Sequence, residues 1–292
     1  MTNAELLDMM KYFVIGCAAL WGALWGSFAN VVIGRLPEGR SVVRPPSACL
    51  QCKSTLAWYD NIPIISYLWL RGRCRSCGAA YGSRYVWVEL IAATLCGLVA
   101  FFWWDADILQ VTLPVSVFII RLLIAASFVI VMIIIAYIDF DTMRIPNVIT
   151  YPGIPISIAA SQFLGQVSLK DSLIGAAVGY LLVRLIADGY RLLTGRFGMG
   201  YGDGKLLAMI GGLMGWKIIL PIMLLSSVQG SIIGIGLLLW QRRQQSTLND
   251  GASVEKLRHV RIPFGPFIAL AAVQCLLAWP SMILIFTSLY PQ

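Results

Sequence analysis

The stretch GRFGMGYGDGKLLAMIGG, residues 195–212, decides how the chain is read. Glycines alternate at 198, 200, 202 and 204, and one carboxylate, Asp203, sits among them. Lys205 follows, and then the chain turns apolar. The rest of the sequence has the same apolar character: hydrophobic residues make up 59% of 292 and charged residues only 12%. A soluble domain carries about 25% charged residues. With a mean hydropathy of +0.79, this is the composition of an all-α polytopic membrane protein. The net charge of +8 must therefore be read loop by loop, not as a nucleic-acid footprint. The single histidine, His259, lies in a polar loop, which removes His-based catalysis and His-rich metal sites from consideration.

Eight apolar runs mark expected spans at 12–34, 86–104, 116–138, 148–166, 172–190, 205–216, 218–240 and 264–288. The first is too long for a signal-peptide core and ends without a small-residue cleavage site, so it reads as a retained anchor. Arg121 interrupts the third run and is expected to snorkel to an interface. The sixth is short, and Gly211-Gly212 with Trp216-Lys217 suggests a tight return into the seventh. Segment 35–85 carries eight Lys and Arg residues against two acids, and the loops at 191–205 and 241–262 carry three and five. The positive-inside rule puts these on the cytoplasmic side and both termini outside. Within the fifth span, Arg184 and Asp188 are spaced to compensate one another at i,i+4. The polar stretch QRRQQSTLND, 241–250, carries no assigned chemistry.

Three domains are expected: a first transmembrane helix over 1–34, a soluble insert over 35–85, and a multi-helix body over 86–292. The insert holds Cys49-x2-Cys52 and Cys74-x2-Cys77, with 21 residues between the pairs. Two such knuckles suit a tetrahedral zinc site with four thiolate ligands and no position left for water, hence a structural metal. A pair of disulfides is the rival reading, and a reducing cytoplasm argues against it. A segment this small buries little core, so a metal would serve as a staple.

An acid at the mouth of a span is a functional hypothesis by default. Asp203 has a candidate partner in AYIDFDTMRIPNVIT, residues 136–150, where Asp139 ends the third span on the same side. Two carboxylates sharing a site cannot both ionise easily. One can take a proton from water while the other, neutral, hydrogen-bonds a scissile carbonyl. Gly200 and Gly202 would let an extended substrate backbone approach, with Lys205 as support. Phosphate-loop and dinucleotide readings fail, because Met199 and Leu206 break the first pattern and Asp203 the second. Asp203 could also simply cap its helix. Asp141 reads as a solvated residue or a neighbour of Arg144, and Glu89 as a structural acid paired with a cytoplasmic arginine.

Taken in order, WGSFANVVIGRLP (25–37), PPSACLQC, WYDNIPIISYLWLRGRCRSC, IDFDTMRIPN, GYGDGKLL and RIPFGPFIAL resemble the bacterial type IV prepilin peptidases, membrane aspartic peptidases with a GxGD motif. The resemblance covers nearly the whole chain. It departs at Val86, where the family usually has proline. It implies cleavage of the basic leader of prepilins or pseudopilins at the cytoplasmic face of the inner membrane, with Asp139 and Asp203 as the catalytic pair. It also implies N-methylation of the new terminus from S-adenosylmethionine. That activity goes with the zinc-binding insert, and Gly72 and Arg73 match positions tied to it. Membrane lipid is the expected surroundings, and no nucleic acid is. A peptidase without methylation and a non-enzymatic scaffold with a zinc-ribbon docking domain are the alternatives. Oligomeric state is not legible.

Overall fold

The computed structural model describes residues 2–110, 113–165, 167–195, 200–245 and 263–289. Residues 196–199 of the glycine stretch, residues 246–250 of the polar stretch and His259 therefore lie outside the described residues. Nine α-helices are described: α1 Asn3–Arg35, α2 Ile65–Leu70, α3 Arg84–Trp104, α4 Val115–Thr142, α5 Asn147–Leu164, α6 Leu169–Thr194, α7 Tyr201–Met214, α8 Ile219–Gln245 and α9 Gly265–Leu289. All but α2 fall on the eight apolar runs. Five (α1, α3, α4, α6 and the segment containing α8) are long and apolar enough to cross a membrane. The short α7 is 14 residues, or about 21 Å, against a hydrocarbon core of about 30 Å. The expected tight return follows it: Gly215 adopts φ +80°, and a 3-10 turn over Trp216–Ile218 leads into α8. Among the described residues, β-structure is limited to two isolated bridges, both in the four-cysteine insert.

The chain divides into two compact units, residues 1–134 with 273–292, and residues 135–272. In the first, α1 starts with a capping box, Thr2 and Glu5 each bonding the other's backbone N–H. It then packs against α3 through Gly22 and Gly26. A Cβ at Gly26 would lie 2.9 Å from the Glu89 Cα, and one at Gly22 2.8 Å from the Cys96 Cβ. Apolar side chains gain little by leaving lipid for each other, so van der Waals contact at small residues holds such helices. The Trp103 indole N–H donates to the Leu276 carbonyl at 3.1 Å, tying α3 to α9. Beyond α3, a π-helical turn over Asp105–Gln110 carries two acids. Asp105 pairs with Lys11 at 2.7 Å, and Asp107 with Arg121 at 3.2 Å. Arg121 therefore does not snorkel. Its side chain is 12% exposed, because a buried carboxylate within reach compensates the guanidinium better than the long route to water.

In the second unit α7 is nearly enclosed: every residue from Asp203 to Met214 except Lys205 is buried. It packs against α5 and α6. On α6, Gly175 faces the Gly211 backbone and Gly179 faces Leu207, so the two helix backbones touch without intervening side chains. The Ser172 hydroxyl donates to the Gly212 carbonyl across the same seam. On the exposed part of α6, Arg184 and Asp188 form the expected i,i+4 pair at 3.3 Å.

Candidate active site

Asp139 occupies the last turn of α4 and Asp203 the first turn of α7, both in the second unit. They are 5% and 7% exposed, far less than acids at helix ends usually are. Left-handed Met143, φ +52°, ends α4, and the chain turns through Ile145 and Pro146 into α5. That turn meets the start of α7. A Cβ on Gly202 would lie 3.1 Å from the Ile145 Cβ. The protein's own turn thus makes a close approach at Gly202, a packing reason for glycine beside the expected one of substrate access. At Gly200, which precedes the helix as its N-cap, a Cβ would meet, among the described residues, the Asp203 carboxylate at 3.5 Å and the Gly202 nitrogen at 3.9 Å. Lys205 donates to Asn147 Oδ1 at 2.7 Å and lies over the Tyr151 ring at 4.5 Å, so it clamps α7 to α5.

Asp203 precedes the apolar run 205–216 and lies outside the spans. Burial first, and then the negative charge of nearby Asp139, pushes its carboxyl up to about 7, with a backbone hydrogen bond at Gly200 opposing. Asp139 is held from the other side, where the Gly265 N–H donates to its Oδ2 at 3.0 Å. A Cβ on Gly265 would reach that oxygen at 2.5 Å, so any other residue there would displace the carboxylate. Asn147 and Gly265 belong to stretches singled out in the sequence, IPN and FGP, but their contacts were not legible there. Asp141 is exposed on the last turn of α4.

The insert brings its four cysteines together, with all Sγ atoms within 4.8 Å of one another. Cys49 to Cys77 is 3.8 Å and Cys52 to Cys74 is 4.0 Å. A tetrahedron with metal–sulfur bonds of about 2.3 Å has edges of about 3.8 Å, so the four thiolates fit one zinc ion. The two knuckles repeat one hydrogen-bond pattern: Cys49 N–H to the Ser54 carbonyl, and Cys74 N–H to the Ala79 carbonyl. Lys53 and Gly78 occupy equivalent left-handed positions, φ 58° and 71°. Arg75 doubly bonds Asp60, which bolts the second knuckle to the Trp58–Asn61 turn. Gly72 is left-handed at φ +66°, with the Tyr67 ring 3.0 Å from where a Cβ would sit, and Arg73 is exposed and bridged to Ala80. Glu89 accepts the Ile64 N–H at 2.8 Å and a bond from the Ser27 hydroxyl, in place of the expected pairing with arginine.

A helical membrane body with a four-cysteine insert after its first helix defines the class: a polytopic membrane protein with a metal-binding domain. Residues 20–103 match the family described as Bacterial Peptidase A24 N-terminal domain, and residues 126–235 the Type IV leader peptidase family. A protein of Aeromonas salmonicida named Prepilin leader peptidase/N-methyltransferase is 34% identical over 91% of each chain. Proteins of the same name from Pseudomonas aeruginosa and Neisseria gonorrhoeae are 36% and 34% identical. The first match covers 87% of each chain, the second 78% of this one and 84% of its own. The chain belongs to the prepilin leader peptidase/N-methyltransferase family. No solved structure matches it.

Proposed function

We propose that this protein removes the leader of prepilins or pseudopilins with the Asp139–Asp203 pair and then N-methylates the new terminus. The observation that carries the peptidase reading is the burial of both acids close enough for the charge of one to raise the pKa of the other. In this reading Asp203 keeps its proton near neutral pH and hydrogen-bonds the scissile carbonyl. Asp139, fixed at Oδ2 by Gly265, uses its free oxygen to take a proton from water. The water attacks the carbonyl carbon, and the amine leaves with a proton. Lys205, Gly200 and Gly202 shape the start of α7, so they act by positioning Asp203.

Methylation rests on the names of the relatives, with S-adenosylmethionine as the donor, and the insert over 35–85 is its proposed seat. Cys49, Cys52, Cys74 and Cys77 would hold zinc as a structural staple, leaving no ligand position for chemistry. Gly72 and Arg73 support the second knuckle and its neighbouring turn. The Lys and Arg distribution supports an inner-membrane protein with insert and acids on the cytoplasmic side. The domain assignment follows: an anchor helix over 1–34, the methylation insert over 35–85, and the peptidase body over 86–292.

Mass spectrometry of a model prepilin incubated with purified protein and S-adenosylmethionine tests the reading. The expected result is leader loss plus one methyl group. Asp139→Asn and Asp203→Asn should each slow leader loss roughly a thousandfold. An intact substrate beside folded wild-type protein would sink the peptidase assignment.

A further inference from the structure

A cavity of about 280 Å³ opens between the C-terminal half of α1 and the insert. Leu24, Phe28 and Val31 on α1 form one wall, while Val42, Val43 and Pro63 face them. Ser27, Arg35 and Asn61 add polar groups. The Arg35 guanidinium is spent on the Ser41, Pro45 and Pro46 carbonyls, so it folds the loop and adds little charge to the lumen. Behind the cavity lies Glu89, 8% exposed. Its carboxylate holds Ser27 on one wall and Ile64, next to rim residue Pro63, on the other.

Ile64 is the strained point. A β-branched residue at φ 62°, ψ −50° is a rarity, close to the γ-turn geometry that costs energy to keep. The Ile65 N–H closes that turn on the Pro63 carbonyl, and Glu89 accepts the N–H the turn leaves over. Gly26 brings α1 against the Glu89 backbone, which sets the distance between α1 and the residue that carries this carboxylate. Strain kept by a buried hydrogen bond at the edge of a cavity points to function.

We infer that this cavity binds the amino-terminal residue of the cleaved, apolar substrate for methylation, and that Glu89 is the positioning residue that holds its rim. The inference rests on the bifunctional reading above. Two features favour this occupant. One wall belongs to a membrane-spanning helix, so the ligand reaches the cavity along the apolar edge of the span. The volume lies at the small end of ligand pockets and has room for one large apolar side chain and its amino group.

The test uses full-length protein, S-adenosylmethionine and a mature-form peptide with a large apolar first residue that continues as an apolar helix. Val42→Trp should raise the KM for this peptide about tenfold or more. The KM for the methyl donor, leader cleavage of intact prepilin and bound zinc should not change. A raised donor KM, or unchanged kinetics, would overturn the assignment. Glu89→Gln keeps an acceptor for Ile64 and should methylate within about twofold of wild type, while Glu89→Leu should raise the peptide KM like Val42→Trp. If Gln falls as far as Leu, the positioning role is wrong. Wild-type protein that cleaves but never methylates would instead remove the bifunctional reading on which the inference stands.

Discussion

At the scale of single residues, the acid pair makes pH the first lever. Burial and Asp139 raise the Asp203 pKa to about 7, so the fold prefers its protonated form. Between about pH 4, where the unfolded acid ionises, and pH 7 the folded state binds the extra proton. This group's contribution to stability therefore falls across that window and levels off above it. Cleavage by a neutral Asp203 should decline as pH rises through about 7, and a kcat profile on a model prepilin checks this. Gly265→Ala would drive a methyl group into Asp139 Oδ2 and should lower kcat at least tenfold with little change in KM. In the insert, Lys53→Gly removes a left-handed side chain at a position where the other knuckle already has glycine. It should stabilise the domain by about 0.5–1 kcal/mol, read as slower zinc loss to a chelator. Both acids and all four cysteines were legible as residue types. The Gly265 N–H and the turn at Ile64 were not, because a backbone hydrogen bond and a dihedral angle leave no signature in side-chain identity.

At the scale of elements, apolar runs identified all eight longer helices, because span length is dictated by the bilayer. Which faces meet was not legible. A lipid-facing leucine and a protein-facing leucine look alike in sequence, so the amphipathic signal that orients helices in soluble proteins is lost. The small residues carried the missing information. Gly22 and Gly26 on α1 share one face, as do Gly175 and Gly179 on α6, and a Cβ at any of the four would lie under 3 Å from the neighbouring helix. Gly175→Val would push side-chain atoms into the Gly211 backbone and should destabilise the protein by about 3 kcal/mol or more, measured by unfolding in mixed detergent. Arg121 taught the reverse lesson: its partner, Asp107, sits 14 residues away across a turn that hydropathy alone does not predict.

At the scale of the whole molecule, the two proposed activities draw on residues that belong to different compact units. The acids lie within 135–272, the cysteines within the other unit. They should therefore be separable. Asp203→Asn should still methylate a mature-form peptide at near wild-type rate. Replacing Cys49 and Cys74 by Ser should abolish zinc binding and methylation while reducing leader cleavage less than tenfold. Mass spectrometry of the two substrates, with metal analysis of each variant, reads both outcomes.

The enclosure of α7 has a further consequence. A helix too short to cross is fixed at its height by backbone contact with α6 and by the bond from its Lys205 to Asn147 of α5, not by the lipid around it. Longer helices answer a thicker or thinner bilayer by tilting. The depth of Asp203 is instead an internal dimension of the protein. With the proposed Asp139–Asp203 pair as the cutting site, hydrophobic mismatch should then leave cleavage nearly constant across vesicles of different acyl-chain length, and the fold itself would be the ruler for where a substrate is cut.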